Sequence, residues 1–356
     1  MKKFACVIFS LIFALCLCGC SPVKSQVKSV KVILFIGDGM GFNHVANTEL
    51  YYGEQTYFSS FKTKLKVQTD SLDSSDGETP TDSAAAATAL ATGVKVYNQS
   101  VSMLNGENLT SITELAKRKG IGAGVVTSDT LYGATPSAFT AHATNRNKTD
   151  KIIESQLNSP VDLLLGSGSY YLSKTYAKKF KRKGFSLYNT LSSTNVNKSK
   201  VLGGYSSVIP ENATDERPTL TQLTVKAIEY MELHYPNGYF LMIEGAYIDK
   251  QSHNNKLLEA MQNVRDFSSA IKTAESMVTG EYSIIVTADH ETGGLQLAQT
   301  KSEISNELYT TTEHTTANVP LYYSSSLADI PGELLVENGV IDNTAVFYLC
   351  KNLLVV

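Results

Sequence analysis

Three histidines in this chain stand beside carboxylates at spacings that suit a metal. Asp249-Lys250-Gln251-Ser252-His253 sets a carboxylate and an imidazole at i and i+4. On a helix the two share one face and form a workable pair of zinc ligands. Alone, such a spacing is more often a surface ion pair, so the other pairs carry weight. Asp289-His290 ends an apolar run, Glu313-His314 brings a third imidazole, and Asp38 ends another apolar run. The chain has only six histidines, so three in such company point to a metal centre. His44, His142 and His234 have no such neighbours in sequence and read as packing or surface residues.

Ser83 opens a second chemistry. It follows Asp82 at the start of Ala84-Ala85-Ala86-Ala87-Thr88-Ala89-Leu90, a run with high helix propensity. Taken alone, Asp82 or Ser83 is a helix cap. The same place offers free backbone N–H groups and the positive end of the helix dipole, which stabilise an anionic oxygen or a bound phosphate. Cap and nucleophile are both open from these residues alone.

The elements that must position these groups read as alternating strands and helices. Lys31–Ile36, Gly124–Asp129, Tyr239–Glu244 and Tyr282–Asp289 are apolar runs ending in polar residues, the mark of strands buried on both faces. Helical stretches such as Leu109–Lys119 and Thr219–Leu233 lie between them. The pattern predicts an α/β three-layer sandwich, with a central, mainly parallel sheet flanked by helices. Such folds bind ligands at the C-terminal ends of their strands. The Ser-, Asn- and Thr-rich stretch Leu187–Arg217 reads as a surface loop region, and nothing divides residues 31–356 into two domains.

Composition narrows the classes further. With 42% hydrophobic residues the chain can bury a large core, and 31 Lys+Arg against 34 Asp+Glu leaves no basic face for a nucleic-acid-binding module. The cluster Lys178-Lys179-Phe180-Lys181-Arg182-Lys183 reads as a solvated helix end. Met1-Lys2-Lys3 and the apolar run Phe4–Leu17 are too short to span a bilayer, which takes about 20 apolar residues, and read as a secretory signal. Leu17-Cys18-Gly19-Cys20 resembles a bacterial lipobox, which implies cleavage before Cys20 and lipid on its thiol. Residues 1–19 are then a signal peptide and 20–30 a tether. The expected product is exported across the cytoplasmic membrane and lipid-anchored at the cell envelope. Only Cys350 then remains, as buried packing, and no intrachain disulfide is expected.

Six ordered segments between residues 31 and 323 make the sequence resemble the bacterial alkaline phosphatases. They are Ile36-Gly37-Asp38-Gly39-Met40-Gly41; Thr81-Asp82-Ser83-Ala84-Ala85 continuing to Ala91-Thr92-Gly93; Ala134-Thr135-Pro136 with His142-Ala143-Thr144-Asn145-Arg146; Glu244 through His253; Thr287 through Gly294; and Glu313-His314-Thr315. The resemblance implies an extracytoplasmic, metal-dependent phosphomonoesterase that works through a phosphoserine intermediate and is commonly a homodimer. It assigns Ser83 as nucleophile, Arg146 as phosphate clamp and Lys250 as a further catalytic residue. It implies two Zn2+, one on Asp249, His253 and His314 and one on Asp38, Asp289 and His290, and one Mg2+ on Asp38, Thr135 and Glu244.

One position departs from the family pattern. Two residues before Thr135 that family usually carries Asp or His, and here stands Gly133. Lys250 therefore lacks its expected partner: magnesium binds more weakly, or Asp129 or a water fills the gap. Two other readings remain beside the leading one. A phosphodiesterase or sulfatase relative could use the same metals, although the Cys-x-Pro-x-Arg pattern of sulfatases is absent. An inactive lipoprotein that binds phosphate or metal is the third.

Overall fold

The computed structural model describes residues 31–213, 215–325 and 339–354. The expected signal peptide, the tether and Cys20 lie outside the described residues. Among the described residues no helix is long and apolar enough to cross a membrane.

A ten-stranded sheet runs through the molecule. From one edge to the other its strands are Val340–Asp342, Thr63–Gln68, Val319–Tyr323, Tyr282–Thr287, Lys31–Gly37, Tyr239–Gly245, Gly122–Thr130, Leu163–Ser167, Val201–Tyr205 and Ser186–Tyr188. Pairing is parallel except at Val319–Tyr323, which runs antiparallel to both neighbours. The central strands are buried along their whole length, as their unbroken apolar runs require. Thr63–Gln68, second from one edge, instead alternates buried and exposed residues.

Two groups of helices flank the sheet. Leu220–His234 and Leu257–Met277 pack on each other, and Phe42–Tyr52 packs on the second of these. Ser83–Thr92, Ala134–Ala138 and Asn343–Leu353 form the other group. Every residue of Ser83–Thr92 is buried, and its alanines allow neighbours to approach from all sides. This confirms the α/β sandwich with a mainly parallel sheet.

Several boundaries moved for local reasons. The helix expected from Leu109 begins at Ile112, because Ser111 and Glu114 form a reciprocal capping box. Thr219 likewise caps Leu220–His234 rather than belonging to it. The reading of Leu187–Arg217 as surface loop needs correction: Val201–Tyr205 is a fully buried strand of the main sheet, paired with Leu163–Ser167. The basic cluster does end a helix, Lys174–Arg182, and Cys350 is a buried free thiol.

Candidate active site

Four adjacent strands deliver the site. Tyr282–Thr287, Lys31–Gly37, Tyr239–Gly245 and Gly122–Thr130 lie side by side, with Ile36 level with both Thr287 and Glu244, and Glu244 level with Thr127. Asp38 and Asp289 therefore emerge next to Glu244 at the C-terminal ends of these strands. The short helix Tyr247–Ser252 follows directly and places Asp249 and His253 on one face, as the i, i+4 spacing predicts. Their nearest donor atoms lie 3.3 Å apart.

All three imidazoles are set the same way. His253 Nδ1 donates to the Thr312 carbonyl at 2.5 Å, and His314 Nδ1 donates to the Thr81 carbonyl at 2.9 Å. A carbonyl only accepts, so the ring proton sits on Nδ1 and Nε2 presents a lone pair. His290 follows suit through Thr292: the Thr292 hydroxyl donates to Asp249 Oδ1 at 2.6 Å and accepts from His290 Nδ1 at 3.2 Å. Metal-binding histidines are held in this way, with the second ring nitrogen fixed by an outer acceptor.

The lone pairs converge on carboxylates. His253 Nε2 and His314 Nε2 face each other at 3.1 Å, and Asp249 Oδ1 is 3.6 Å from the latter. His290 Nε2 lies 3.5 Å from Asp38 Oδ1 and 3.4 Å from Asp289 Oδ2. Donor atoms of Asp249, His253 and His314 fall within 4.8 Å of one another, and so do those of Asp38, Asp249 and His290. Asp249 thus stands between two groupings. Asp38 Oδ1 and Asp289 Oδ2 are buried and have no hydrogen-bond partner. Acceptors packed this closely, with no proton between them, fit divalent cations held by nitrogen and oxygen donors.

The protonation equilibria carry the same mark. Burial pushes the Asp38 carboxyl well above the usual carboxylate range, and the charges of Asp289, Asp249 and Glu244 push it further. Asp289 is raised chiefly by burial, then by Asp249. Burial, followed by the neighbouring His314, holds His290 well below an ordinary imidazole. Bound cations would bring the carboxyl values back down and hold His290 neutral.

A third group of oxygens adjoins these. The Glu244 carboxylate accepts from the Thr127 hydroxyl, and burial followed by the charge of Asp129 raises its pKa to about 7. Thr135 Oγ1 is buried beside it without a well-formed hydrogen bond. Asp38, Thr135 and Glu244 offer oxygen alone, which suits magnesium.

Ser83 sits where these groupings meet. It is the first residue of Ser83–Thr92, and its Oγ is 3.1 Å from His290 Nε2. The two readings of this helix start turn out to be compatible. Asp82 is the cap, accepting from the Ala85 N–H at 2.9 Å, while Ser83 is free to face the site. The other oxygen of Asp82 accepts from Arg146 Nη1 at 3.1 Å, so the guanidinium is held beside Ser83.

Every metal- and substrate-directed residue expected from the sequence thus falls in one cluster. Others were not singled out. Thr292 lies inside a segment that was recognised, but its double role needs the fold. His44 is no mere packing residue: fully buried, it accepts from the Gly41 N–H and bonds Ser252, tying the Asp38 turn to the helix of Asp249. His142, with no carboxylate beside it in sequence, bonds Glu114 at 3.3 Å across the fold. Of the options left open for Lys250, the structure shows Asp129, whose carboxylate accepts from the ammonium.

A buried cluster of groups that could hold cations thus lies with a serine and an arginine beside it on a mainly parallel sheet. The alkaline phosphatase family model matches residues 29–346. The chain belongs to the alkaline phosphatase family. It is 34% identical over 295 residues to alkaline phosphatase 4 of Bacillus subtilis, covering 77% of this chain and 63% of that protein. It is 30% identical over 334 residues to the alkaline phosphatase of Escherichia coli, covering 75% of this chain and 71% of that one. The solved alkaline phosphatase of the Antarctic bacterium TAB5 superposes with a TM-score of 0.78 at 27% identity, covering 92% of this chain and 98% of that chain. A variant of that protein is described with magnesium bound in its M3 site; it is 26% identical with a TM-score of 0.78.

Proposed function

We propose that this protein is a metal-dependent phosphomonoesterase that releases phosphate from small phosphate monoesters by way of a phosphoserine at Ser83. The observation that carries the reading is the placement of Ser83 Oγ, 3.1 Å from the lone pair of His290 and beside the Asp82-held Arg146. Alkaline phosphatases among the relatives and the magnesium-bound neighbour support it.

The residues present fit two zinc ions and one magnesium. Asp249, His253 and His314 would hold the first zinc. Asp38 and Asp289, whose oxygens lie within 3.5 Å of His290 Nε2, would hold the second with His290, and Asp38, Thr135 and Glu244 the magnesium. When bound, such cations lower the pKa of a coordinated hydroxyl or water and neutralise charge on transferring oxygens. Arg146 binds two phosphoryl oxygens through its planar fork. Ser83 sits on the phosphorus side of that grip, and the N–H groups of its helix start face developing negative charge. Ser83 Oγ gives up its proton to water as it attacks phosphorus, the ester P–O bond breaks, and the leaving alkoxide takes that proton back through water. Water then attacks the phosphoserine, returning the hydroxyl to Ser83 and releasing phosphate. Contacts are concentrated on the phosphoryl group, which leaves the alcohol loosely discriminated.

Export and a lipid anchor on Cys20 belong to the same reading and rest on the lipobox-like segment alone. Hydrolysis of a chromogenic phosphate monoester by the full-length chain tests the chemistry, with chelator-treated protein and Ser83→Ala alongside. Turnover lost in both controls is expected. Turnover retained by Ser83→Ala would overturn the serine route, and none in zinc- and magnesium-loaded protein would overturn the activity.

A further inference from the structure

Gly133 leaves a space that another residue fills. Gly133 caps the helix Ala134–Ala138, which carries Thr135, and donates its N–H to the Thr130 carbonyl at 2.8 Å. A Cβ at this position would stand 2.9 Å from Asp129 Oδ2, closer than carbon and oxygen approach without displacement. The carboxylate of Asp129 therefore lies where a side chain at position 133 would begin.

Asp129 reaches that space by strand geometry. Thr127 is level with Glu244 in the parallel pair of Gly122–Thr130 and Tyr239–Gly245, and Asp129 follows two residues on. The pairing with Leu163–Ser167 shifts register between Val126 and Thr130, and in this irregular stretch the charge of Asp129 acts on Glu244. The Asp129 N–H donates to Thr127 Oγ1 at 2.8 Å, and Thr127 Oγ1 in turn donates to Glu244. Asp129 Oδ1 accepts from the Lys250 ammonium, whose stem lies over the Tyr247 ring with Nζ 5.0 Å from its centre. Lys250 is thus fixed from two sides, next to Asp249 and across from Glu244.

We propose that Asp129 is a positioning residue of the oxygen-donor site formed by Asp38, Thr135 and Glu244, standing in for the side chain that Gly133 lacks. One carboxylate oxygen anchors Lys250, and the other faces Gly133 to orient water in the outer shell of a magnesium ion. A carboxylate transposed four residues earlier in the chain supplies the function from a strand end instead of a helix start. This inference rests on the metal sites of the proposed function but not on turnover.

The two positions share one space, so they should trade places. Magnesium affinity of the zinc-loaded full-length protein, read by calorimetric titration with Mg2+ alone, is the first measurement. Asp129→Ala is expected to weaken it by about 10–100-fold, as loss of an outer-shell partner does. Zinc content should stay unchanged. Gly133→Asp alone crowds Asp129 and should not tighten binding. The double variant Asp129→Ala/Gly133→Asp is expected to recover affinity to within about threefold of the parent, a compensation that mere structural repair would not give. Asp129→Asn keeps the shape and removes the charge, so it reports even where the alanine variant folds poorly. Unchanged affinity in Asp129→Asn, a double variant no better than Asp129→Ala, or a parent protein that binds no magnesium would each overturn the proposal. Inactivity of the parent with the magnesium pattern as expected would overturn the phosphatase reading and leave this one standing.

Discussion

Asp82 holds Arg146 with the same carboxylate that caps the helix of Ser83. One oxygen accepts from the Ala85 N–H at 2.9 Å and the Gln99 N–H at 3.0 Å, and the other accepts from Arg146 Nη1 at 3.1 Å. The cap that starts the helix of Ser83 is therefore also the support of Arg146. Asp82→Ala should remove both. Loss of the cap costs about 0.5–2 kcal/mol of stability. Release of the guanidinium should raise the inhibition constant of inorganic phosphate by about tenfold, near 1.4 kcal/mol of binding. Phosphate inhibition unchanged in a destabilised variant would show that Arg146 needs no such support.

Thr292 links the two donor groupings proposed to hold zinc. Its hydroxyl gives its proton to Asp249 and takes one from His290, so a single residue sets a carboxylate and an imidazole tautomer. Thr292→Val keeps the buried shape and removes both bonds. Zinc affinity, measured by competition with a chelator, should fall about 10–100-fold. An unaltered affinity would mean that His290 is oriented by packing alone.

His44 makes stability depend on pH. Burial lowers its pKa from 6.5 to about 3, so it stays neutral in the fold while the unfolded chain takes up a proton below pH 6.5. The folded pKa is depressed, so this stabilisation is present above pH 6.5 and is lost as pH falls toward 3. His44→Gln removes the titrating group while leaving an amide to meet Ser252. Urea unfolding of chelator-treated protein should show a smaller drop between pH 7 and pH 4.5 in the variant than in the parent. Equal drops would place the acid sensitivity elsewhere.

The parts of this site legible in the sequence were those written within short segments. Asp249 and His253 share a face through helical spacing, and Asp38, Glu244 and Asp289 end apolar runs that only buried strands make. Pairings set by register were legible only as alternatives. Lys250 meets Asp129 across 121 residues; the sequence left Asp129 and a water both open, and the placement of Thr127 level with Glu244 decides for Asp129. His142 finds Glu114 by the same kind of long-range placement. Val201–Tyr205 escaped because Val-Leu-Gly-Gly-Tyr has low strand propensity in a polar neighbourhood.

The glycines that hid that strand are what let it pack. A Cβ on Gly204 would stand 2.6 Å from the Gly168 carbonyl oxygen and 3.0 Å from its carbon, and Gly168 in turn donates its N–H to the Tyr205 carbonyl at 2.8 Å. The obstacle is backbone, which cannot swing away as a side chain could. Gly204→Ala should therefore cost about 1–3 kcal/mol, the usual toll of overpacking, seen as a lower midpoint of urea unfolding. Gly204 lies on a strand separated from Gly122–Thr130 by Leu163–Ser167, so zinc content and the specific activity of the folded variant should match the parent. A variant as stable as the parent would show that the turn at Gly168 yields, and that the close approach is incidental to the fold.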